Sequence, residues 1–337
     1  MPIEMRGLQI IAVLIYMETS IIIRSYNEEQ YIGRLLSGIF EQNFGDVEVV
    51  LVDSGSTDAT LSIASQFGVR IVSIAKKDFS FGRSLNLGCE AAEGEFLVFA
   101  SAHVYPLYRD WLERLLEPFE NEKVALVYGK QRGGETTKFS EHRIFRQWFS
   151  DESNFNQPHP FCNNANAAVR RSCWQQLRYD ETLTGLEDLD WAQRAVKNGW
   201  RIAYSADAVI AHVHNESWPG VFNRYCREAM AMKAIYPAER FSVIDFARLF
   251  LVNSFSDYKS AVRKRAFFKN IMNICLFRLM QFWGTYRGYS AKNGVSAALR
   301  QKFYYPNGVI EGVGRVSEVR QKSLIDYSLT AAERECG

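Results

Sequence analysis

The sequence predicts an α/β fold built on a mainly parallel sheet, followed by a helical region. Short apolar runs alternate with segments of helical periodicity up to about residue 215, and only helical patterns follow. Strands that alternate with helices form parallel sheets covered on both faces. Ligands bind such sheets beyond the carboxyl ends of the strands. The polar turns that follow the strands are therefore the first candidates for a functional site.

Six strands are predicted from runs rich in β-branched or aromatic residues, at 20–24, 47–52, 69–74, 95–100, 124–128 and 209–215. Apolar residues at helical spacing predict helices that follow the first, second and fourth strands. A further helix is predicted from Glu187 up to Asn198-Gly199. The turns after the first, second and fourth strands should therefore share one cleft.

The run Gly185-Leu186-Glu187-Asp188 opens the helix that ends before Asn198. A carboxylate at a helix start, held at one end of a sheet, is well placed to act as a general base. Acidic residues also favour the first turn of a helix as simple caps. Taken alone, the pattern favours capping, and the motifs upstream decide between the two interpretations.

Those motifs, in their order and spacing, resemble a bacterial family-2 glycosyltransferase over residues 19–215. The resemblance is carried by Ile21–Glu28, Val52–Asp58, Phe81–Phe99 and Gly185–Asp188. The segment Phe81–Phe99 is most similar to the rhamnosyltransferase-like branch. The resemblance implies a GT-A fold, a nucleotide-binding sheet with an acceptor region. It also implies inverting transfer of a sugar from a nucleoside-diphosphate donor to a glycan or lipid-linked acceptor in polysaccharide assembly.

The resemblance assigns roles residue by residue. Asp188 matches the catalytic base, and Glu187 and Asp190 are nearby alternatives that rank below it. Glu187 could instead orient the acceptor or cap the helix. The donor nucleotide is expected to contact Ser25, Tyr26, Glu28, Asp53, Asp78, Arg83, Asn86 and Ala102. The guanidinium of Arg83 suits diphosphate oxygens. Asp53 could instead be a turn residue at a strand end, and Tyr26 could be a packing residue.

The sequence departs from the family pattern at Ser101-Ala102-His103, where an Asp-containing metal motif is expected. No acidic residue lies between Glu95 and Asp110. His103 has three interpretations: it coordinates a divalent ion, it contacts the diphosphate without a metal, or it is a structural histidine at a strand end. His214 is the second predicted metal ligand, ahead of His212. The expected cofactor is Mn²⁺ or Mg²⁺, and imidazole ligands would shift the preference away from Mg²⁺.

The acceptor side is predicted from an asparagine-rich stretch before the base helix, in which Asn164 and Asn166 are candidates for sugar hydroxyls. Turn formation is the alternative, because asparagine favours turns. The run Gly129–Arg132 resembles the glycine-basic-glutamine turn of the rhamnosyltransferase-like branch, and the resemblance implies a turn that faces substrate.

Composition sets modest limits. The chain has 337 residues and is 47% apolar, which predicts one or two domains with a sizeable core. The net charge of +2 argues neither for nor against acidic partners, and no nucleic-acid partner is predicted. The six cysteines lack metal-type spacing and favour a reduced, cytoplasmic setting. A homo-oligomer is left open.

The predicted organisation is an N-terminal extension (1–18), a GT-A catalytic domain (19–215) and a helical C-terminal region (216–337). Residues 8–16 are apolar but too short to span a bilayer. Residues 267–283 predict an amphipathic helix, which either packs on the catalytic domain or another subunit, or rests on the inner membrane.

Two functions other than transfer are considered. A non-catalytic glycan- or nucleotide-binding protein is suggested by the missing metal-motif Asp and opposed by Asp53 and Asp188. A nucleotidyltransferase leaves the acidic helix start at Glu187 unexplained.

Overall fold

The computed structural model describes residues 19–43, 45, 47–134, 136–291 and 324–327, so the predicted N-terminal extension lies outside the described residues. Eight strands are described: β1 (Thr19–Ser25), β2 (Glu48–Asp53), β3 (Arg70–Ser73), β4 (Phe96–Ser101), β5 (Val104–Pro106), β6 (Val124–Gly133), β7 (Asn166–Arg170) and β8 (Arg201–His212). Ten α-helices are described: α1 (Ile32–Phe40), α2 (Thr60–Ser65), α3 (Phe81–Ala91), α4 (Trp111–Leu116), α5 (Phe139–Trp148), α6 (Arg171–Gln176), α7 (Glu187–Lys197), α8 (Trp218–Ile235), α9 (Val243–Arg263) and α10 (Phe267–Ser290).

All eight strands belong to one sheet, in the order β3-β2-β1-β4-β7-β6-β8-β5. The first four of this order are parallel, as predicted, and β6 is parallel to β8. Strands β7 and β5 run antiparallel to their neighbours. Because β1 lies between β2 and β4 and is parallel to both, the turns that follow these three strands meet at one edge of the sheet, as predicted.

Both faces of the sheet are covered. Along β1, Ile22 packs into one apolar cluster, whereas Ile21 and Ile23 pack into the other. Successive side chains of a strand point to opposite faces, so a strand buried on both sides reads as a continuous apolar run. This is why the β1 segment lacks the alternation typical of a half-exposed strand.

The prediction of a turn at Gly129–Arg132 is wrong, because these residues lie within β6. They continue its pairing with β8 past an irregularity between Gly129 and Lys130. The glycine has a packing reason instead. A Cβ at Gly129 would lie 2.4 Å from the carbonyl oxygen of Ala208. Strand β8 begins earlier than predicted and ends at His212, so His214 lies just beyond it.

The C-terminal helices pack on the catalytic region. Asp257 of α9 accepts hydrogen bonds from Arg143 of α5 and from Arg278 of α10. Helix α10 lies close against α8, since a Cβ at Gly288 would lie 2.4 Å from the carbonyl oxygen of Cys226. One side of the predicted amphipathic helix therefore packs within the protein. In the part of the chain that the structure describes, no helix has the length and apolar character needed to cross a membrane.

Candidate active site

Asp188 lies in the first turn of α7, and its carboxylate is almost fully buried, at 9% exposure. Its Oδ2 accepts a hydrogen bond from the backbone N–H of Asn164 (3.1 Å), and its Oδ1 accepts one from the N–H of Leu189 (2.8 Å). Burial, and then the charge of Glu187, raise the pKa of Asp188 to about 7. The carboxylate is therefore able to accept a proton near neutral pH.

Leu186 sets the direction in which α7 begins. It adopts the left-handed backbone conformation, with φ of 54°. This conformation costs a non-glycine residue about 1 kcal/mol or more. A strained residue immediately before the helix is consistent with a helix start fixed by its surroundings.

Glu187 faces a different partner from Asp188. Its Oε1 accepts a hydrogen bond from Nη1 of Arg24 at 2.9 Å, and both side chains are largely buried. The Arg24 guanidinium also lies over the ring of Phe81, 4.8 Å from its centroid. This ion pair ties the start of α7 to the end of β1. Arg24 belongs to the motif that carried the resemblance, but no role of its own was predicted for it.

His103, His212 and His214 form a compact group, called the histidine cluster below. One ring nitrogen of each lies within 4.8 Å of one nitrogen of the other two. The Nε2 atoms of His212 and His214 are 2.9 Å apart. The sequence placed His103 and His214 as metal ligands and His212 after them, and the structure brings all three together.

Each imidazole of the histidine cluster is held through its Nδ1 atom by an oxygen acceptor. Nδ1 of His103 contacts Glu28 (2.8 Å), that of His212 contacts Gln131 (2.7 Å), and that of His214 contacts Glu141 (2.7 Å). An acceptor oxygen at Nδ1 favours the tautomer with the proton there and a lone pair on Nε2, which is the form that binds a metal ion. Metal-bound histidines are held in this way in proteins. The cluster therefore fits a divalent cation.

The carboxylate of Glu141 is buried between His214 and Arg224. It accepts hydrogen bonds from His214 and from Arg224 of α8, which also pairs with Glu216 at 2.8 Å. Burial alone would raise the pKa of Glu141, but His214 and Arg224 outweigh it and hold the pKa well below its usual range. The sequence analysis missed Glu141 and Arg224. Glu141 lies far from His214 in the sequence, and no local motif marks either residue.

The surroundings shift the pKa values of His103 and His212 in opposite directions. Burial lowers the pKa of His103, but the adjacent Glu28 carboxylate outweighs it and the net shift is upward. For His212, burial and the neighbouring His214 and His103 all act downward, so its pKa lies well below the usual value. His103 is also partly exposed, with 31% of its side chain accessible, so it is not enclosed in the core.

Several residues predicted to contact the nucleotide surround the ends of β1 and β2. The Asp53 carboxylate accepts hydrogen bonds from the N–H groups of Gly55 and Ser56 and from the Ser56 hydroxyl. It thus closes the turn after β2, which is the turn role considered for it. The Tyr26 hydroxyl accepts from Lys76 at 3.0 Å. Ser25 is buried, and its hydroxyl has no hydrogen-bond partner among the described residues.

The remaining predicted donor residues differ in exposure. Asp78 is exposed in a short 3₁₀ segment, Arg83 is half-exposed in the first turn of α3, and Ala102 is buried. Asn86 is buried, and its amide bonds to Trp174, to both backbone groups of Tyr179 and to Glu181. The Asn86 side chain therefore ties α3 to the segment before the base helix.

The two predicted acceptor residues have different surroundings. Asn166 is fully buried, and its amide bonds to Trp111 and to the carbonyl groups of Lys130 and Ala208. Asn164 is also buried, but its side-chain amide has no hydrogen-bond partner among the described residues. Its backbone N–H contacts Asp188, so Asn164 lies beside the predicted base.

Residues 20–178 match the family model described as "Glycosyl transferase family 2". The chain is 27% identical to an O-antigen chain rhamnosyltransferase of Salmonella typhimurium, over 62% of this chain and 70% of the relative. It is 30% identical to an O-antigen chain rhamnosyltransferase of Salmonella anatum, over 53% of this chain and 60% of that relative. The chain thus spans less than two thirds of the second relative.

The fold is similar to that of a mannosyltransferase from Pyrobaculum calidifontis, solved in complex with GDP-Man and Mn²⁺. The TM-score is 0.53 and the identity 19%, over 86% of this chain and 88% of that chain. At this identity the similarity bears on the fold alone. The predicted GT-A fold, and an enzyme rather than a binding protein on that fold, are confirmed. With its matching motifs, its sheet and its similarity to the rhamnosyltransferases, the chain contains a family-2 glycosyltransferase domain over residues 20–178.

Proposed function

We propose that the protein is an inverting glycosyltransferase in which Asp188 removes the proton of the acceptor hydroxyl. The single observation that supports this most is the buried carboxylate of Asp188 at the carboxyl edge of the sheet, with its pKa raised to about 7. A general base works best when its pKa lies near the operating pH. A capping carboxylate with an ordinary pKa would be a weaker base.

The surroundings of Asp188 support a direct role rather than capping. Its oxygens accept from two backbone N–H groups, while the adjacent carboxylate of Glu187 is turned to Arg24. Glu187 is thus a positioning residue, whose charge tunes the pKa of its neighbour. Asn164 gives its backbone N–H to the base, and its side chain is the proposed contact for a sugar hydroxyl.

The histidine cluster is the proposed site of a divalent ion. His103, His212 and His214 would hold it through Nε2, while Glu28, Gln131 and Glu141 fix the three rings. Such an ion supplies charge stabilisation to a departing diphosphate. Nitrogen ligands favour Mn²⁺ or another softer ion over Mg²⁺. The three residues that hold the rings extend the two-histidine site predicted from the sequence.

For the donor, the proposal is a nucleoside-diphosphate sugar bound over the turns after β1, β2 and β4. The names of the two Salmonella relatives make a rhamnosyl donor the first to test. Arg83 and Arg24 lie on elements that border these turns and could meet the diphosphate. The acceptor proposed is a glycan or a lipid-linked glycan.

The test is a panel of UDP-, dTDP- and GDP-sugars incubated with the purified protein and candidate acceptors, with nucleoside diphosphate release as the readout. Each donor is assayed with Mn²⁺, Mg²⁺ or EDTA. We expect release from one donor class, an inverted anomeric configuration in the product, and loss of activity in EDTA. A retained configuration would exclude Asp188 as the base of a single displacement.

The metal site needs a readout other than activity. Mn²⁺ binding followed by calorimetry on the protein alone should weaken at least tenfold in His103→Ala and in His214→Ala. His159→Ala is the matched control, because His159 lies outside the histidine cluster. Unchanged Mn²⁺ affinity in both cluster variants would contradict the site.

A further inference from the structure

The hairpin formed by α9 and α10 carries an exposed apolar surface. Along α9, Ile244, Leu251, Phe255 and Val262 are all more than half exposed, with Phe255 at 75%. They are spaced by seven, four and seven residues, which places them on one side of a helix. The opposite side of α9 is buried through Ser254, Asp257 and Ala261. The outer face of α9 therefore presents an apolar stripe to solvent.

The turn between the two helices extends this surface. Phe268, at the start of α10, is 91% exposed, and Met272 one turn later is 65% exposed. The ring of Phe268 packs edge-on against Phe267, whose own ring contacts Tyr258 of α9. The hairpin tip, defined as residues 262–272, thus places large apolar side chains beyond the end of α9. We call this tip and the stripe on α9 the hairpin face.

The charge on the hairpin face has one sign. From Val243 to Ala291 the sequence has eight Lys and Arg residues and two acidic residues, a net charge of +6 against +2 for the whole chain. Arg263, Lys264, Arg265 and Lys269 lie in the tip and are exposed, while Arg248 and Lys259 lie on the apolar stripe, at helical spacing.

The two acidic residues of the hairpin are engaged elsewhere. Asp245 closes the capping box at the start of α9, and Asp257 is buried against Arg143 and Arg278. On the hairpin face itself the exposed charges are cations, interleaved with apolar side chains.

We propose that the hairpin face docks the protein onto a bilayer that contains anionic lipids. Apolar side chains would enter the boundary between headgroups and acyl chains, while the flanking cations would meet the lipid phosphates. An apolar helix face with flanking cations is typical of a helix that lies in the membrane interface. No helix of the described residues is long and apolar enough to cross a membrane. The positive charge favours an anionic bilayer over an apolar protein partner, because a protein interface of this kind would leave six exposed cations to be desolvated.

The experiment is co-sedimentation of the purified chain with vesicles, without any donor or acceptor, so that its outcome does not depend on the proposed function. One set of vesicles contains phosphatidylethanolamine and phosphatidylglycerol, and the other contains phosphatidylcholine alone. We expect binding to the anionic set only, with release as the salt concentration approaches about 1 M, where charges are screened within a few ångströms.

Three variants locate the contact. Phe268→Ser in the tip and Phe255→Ser on the stripe should each weaken vesicle binding by about tenfold or more, because each removes a large apolar side chain from the lipid. Phe155→Ser is the matched control, since Phe155 is an exposed aromatic residue (44%) outside the hairpin. Circular dichroism confirms that each variant is folded.

Four results would overturn the proposal: no binding to anionic vesicles, equal binding to both vesicle sets, wild-type binding by both hairpin variants, or equal weakening by Phe155→Ser. Light scattering separates one further case. In that case the wild-type chain self-associates, the Phe255→Ser variant is monomeric, and neither protein binds vesicles. The hairpin face would then be an interface between two copies, and the bilayer proposal would be wrong.

Discussion

Asp188 and Glu141 are both buried carboxylates at the carboxyl side of the sheet, yet their pKa values are shifted in opposite directions. Asp188 is 9% exposed and has a pKa raised to about 7, whereas Glu141 is 2% exposed and has a pKa well below its usual range. Burial acts upward in both cases. The difference comes from their neighbours.

Glu141 faces two groups that carry positive charge, Arg224 and, when protonated, His214, and their attraction outweighs burial. Asp188 has two backbone N–H groups and a second carboxylate beside it, and the nearby cation, Arg24, is already paired with that carboxylate. One environment keeps a carboxylate charged so that it holds an imidazole in place. The other keeps a carboxylate ready to accept a proton. Two acids whose surroundings shift their pKa values apart have different roles at a catalytic site.

The largest effect is expected at Asp188. The Asp188→Asn substitution removes the base while nearly preserving shape, so kcat should fall about 10³-fold. Asp190→Asn is the matched control, because Asp190 lies in the same helix turn but is paired with Arg194 at 2.7 Å. Its kcat should change less than about threefold, since it alters only an i,i+4 ion pair. The measurement is nucleoside diphosphate release at saturating donor. Equal losses in the two variants would indicate disturbance of α7 rather than loss of a base.

A smaller effect is expected at Glu141. Replacing it by glutamine removes the charge that holds His214, so the affinity for Mn²⁺ should fall about 10–100-fold, as for other residues that hold metal-bound histidines. The measurement is Mn²⁺ calorimetry on the folded variant, with circular dichroism to check folding. Glu120→Gln serves as control, because Glu120 is exposed at the end of a short 3₁₀ segment. Wild-type affinity in Glu141→Gln would show that Glu141 only neutralises Arg224.

The fold was predictable from the sequence where the signal is local. β-branched runs gave the positions of β1 to β4, and helical spacing gave α1 and α7. The prediction failed at Gly129, where a glycine among polar residues is typical of a turn. The glycine is instead required by the close approach of β6 to Ala208 of β8. That contact joins residues far apart in the sequence, so no local pattern contains it.

The site shows the same limit. Its acidic and histidine members stand out by residue type and motif, which is how Asp188, His103 and His214 were selected. The residues that hold them did not stand out, because Glu141, Arg224 and Arg24 are charged residues of a kind common on helix surfaces and strand ends. Only the fold brings Glu141 to His214 and Arg24 to Glu187. The pKa of Asp188 depends on its burial and on Glu187 and Arg24, so it could not be predicted from the sequence.

The smallest expected effect is on the pH dependence of kcat/KM, which tests how the neighbours of Asp188 set its pKa. Because the base must be deprotonated, the rate should rise with pH through an apparent pKa near 7 and fall tenfold per unit at lower pH. Glu187→Gln removes a negative neighbour and frees Arg24, so the apparent pKa should fall by about half a unit to one unit. Arg24→Gln should move it upward by a similar amount, since it removes the cation that favours the charged form.

Because the two apparent pKa values should shift in opposite directions, this pair of variants is informative even if both have a lower rate than the wild type. A general loss of structure would lower the rate at every pH without moving the midpoint. Asp190→Asn again supplies the control, and its midpoint should stay where the wild-type value lies. Midpoints that move in the same direction in Glu187→Gln and Arg24→Gln would mean that a group other than Asp188 controls the acid limb. Midpoints that separate would show that the proton affinity of Asp188 depends on the ion pair between Arg24 of β1 and Glu187 of α7, as the contrast with Glu141 predicts.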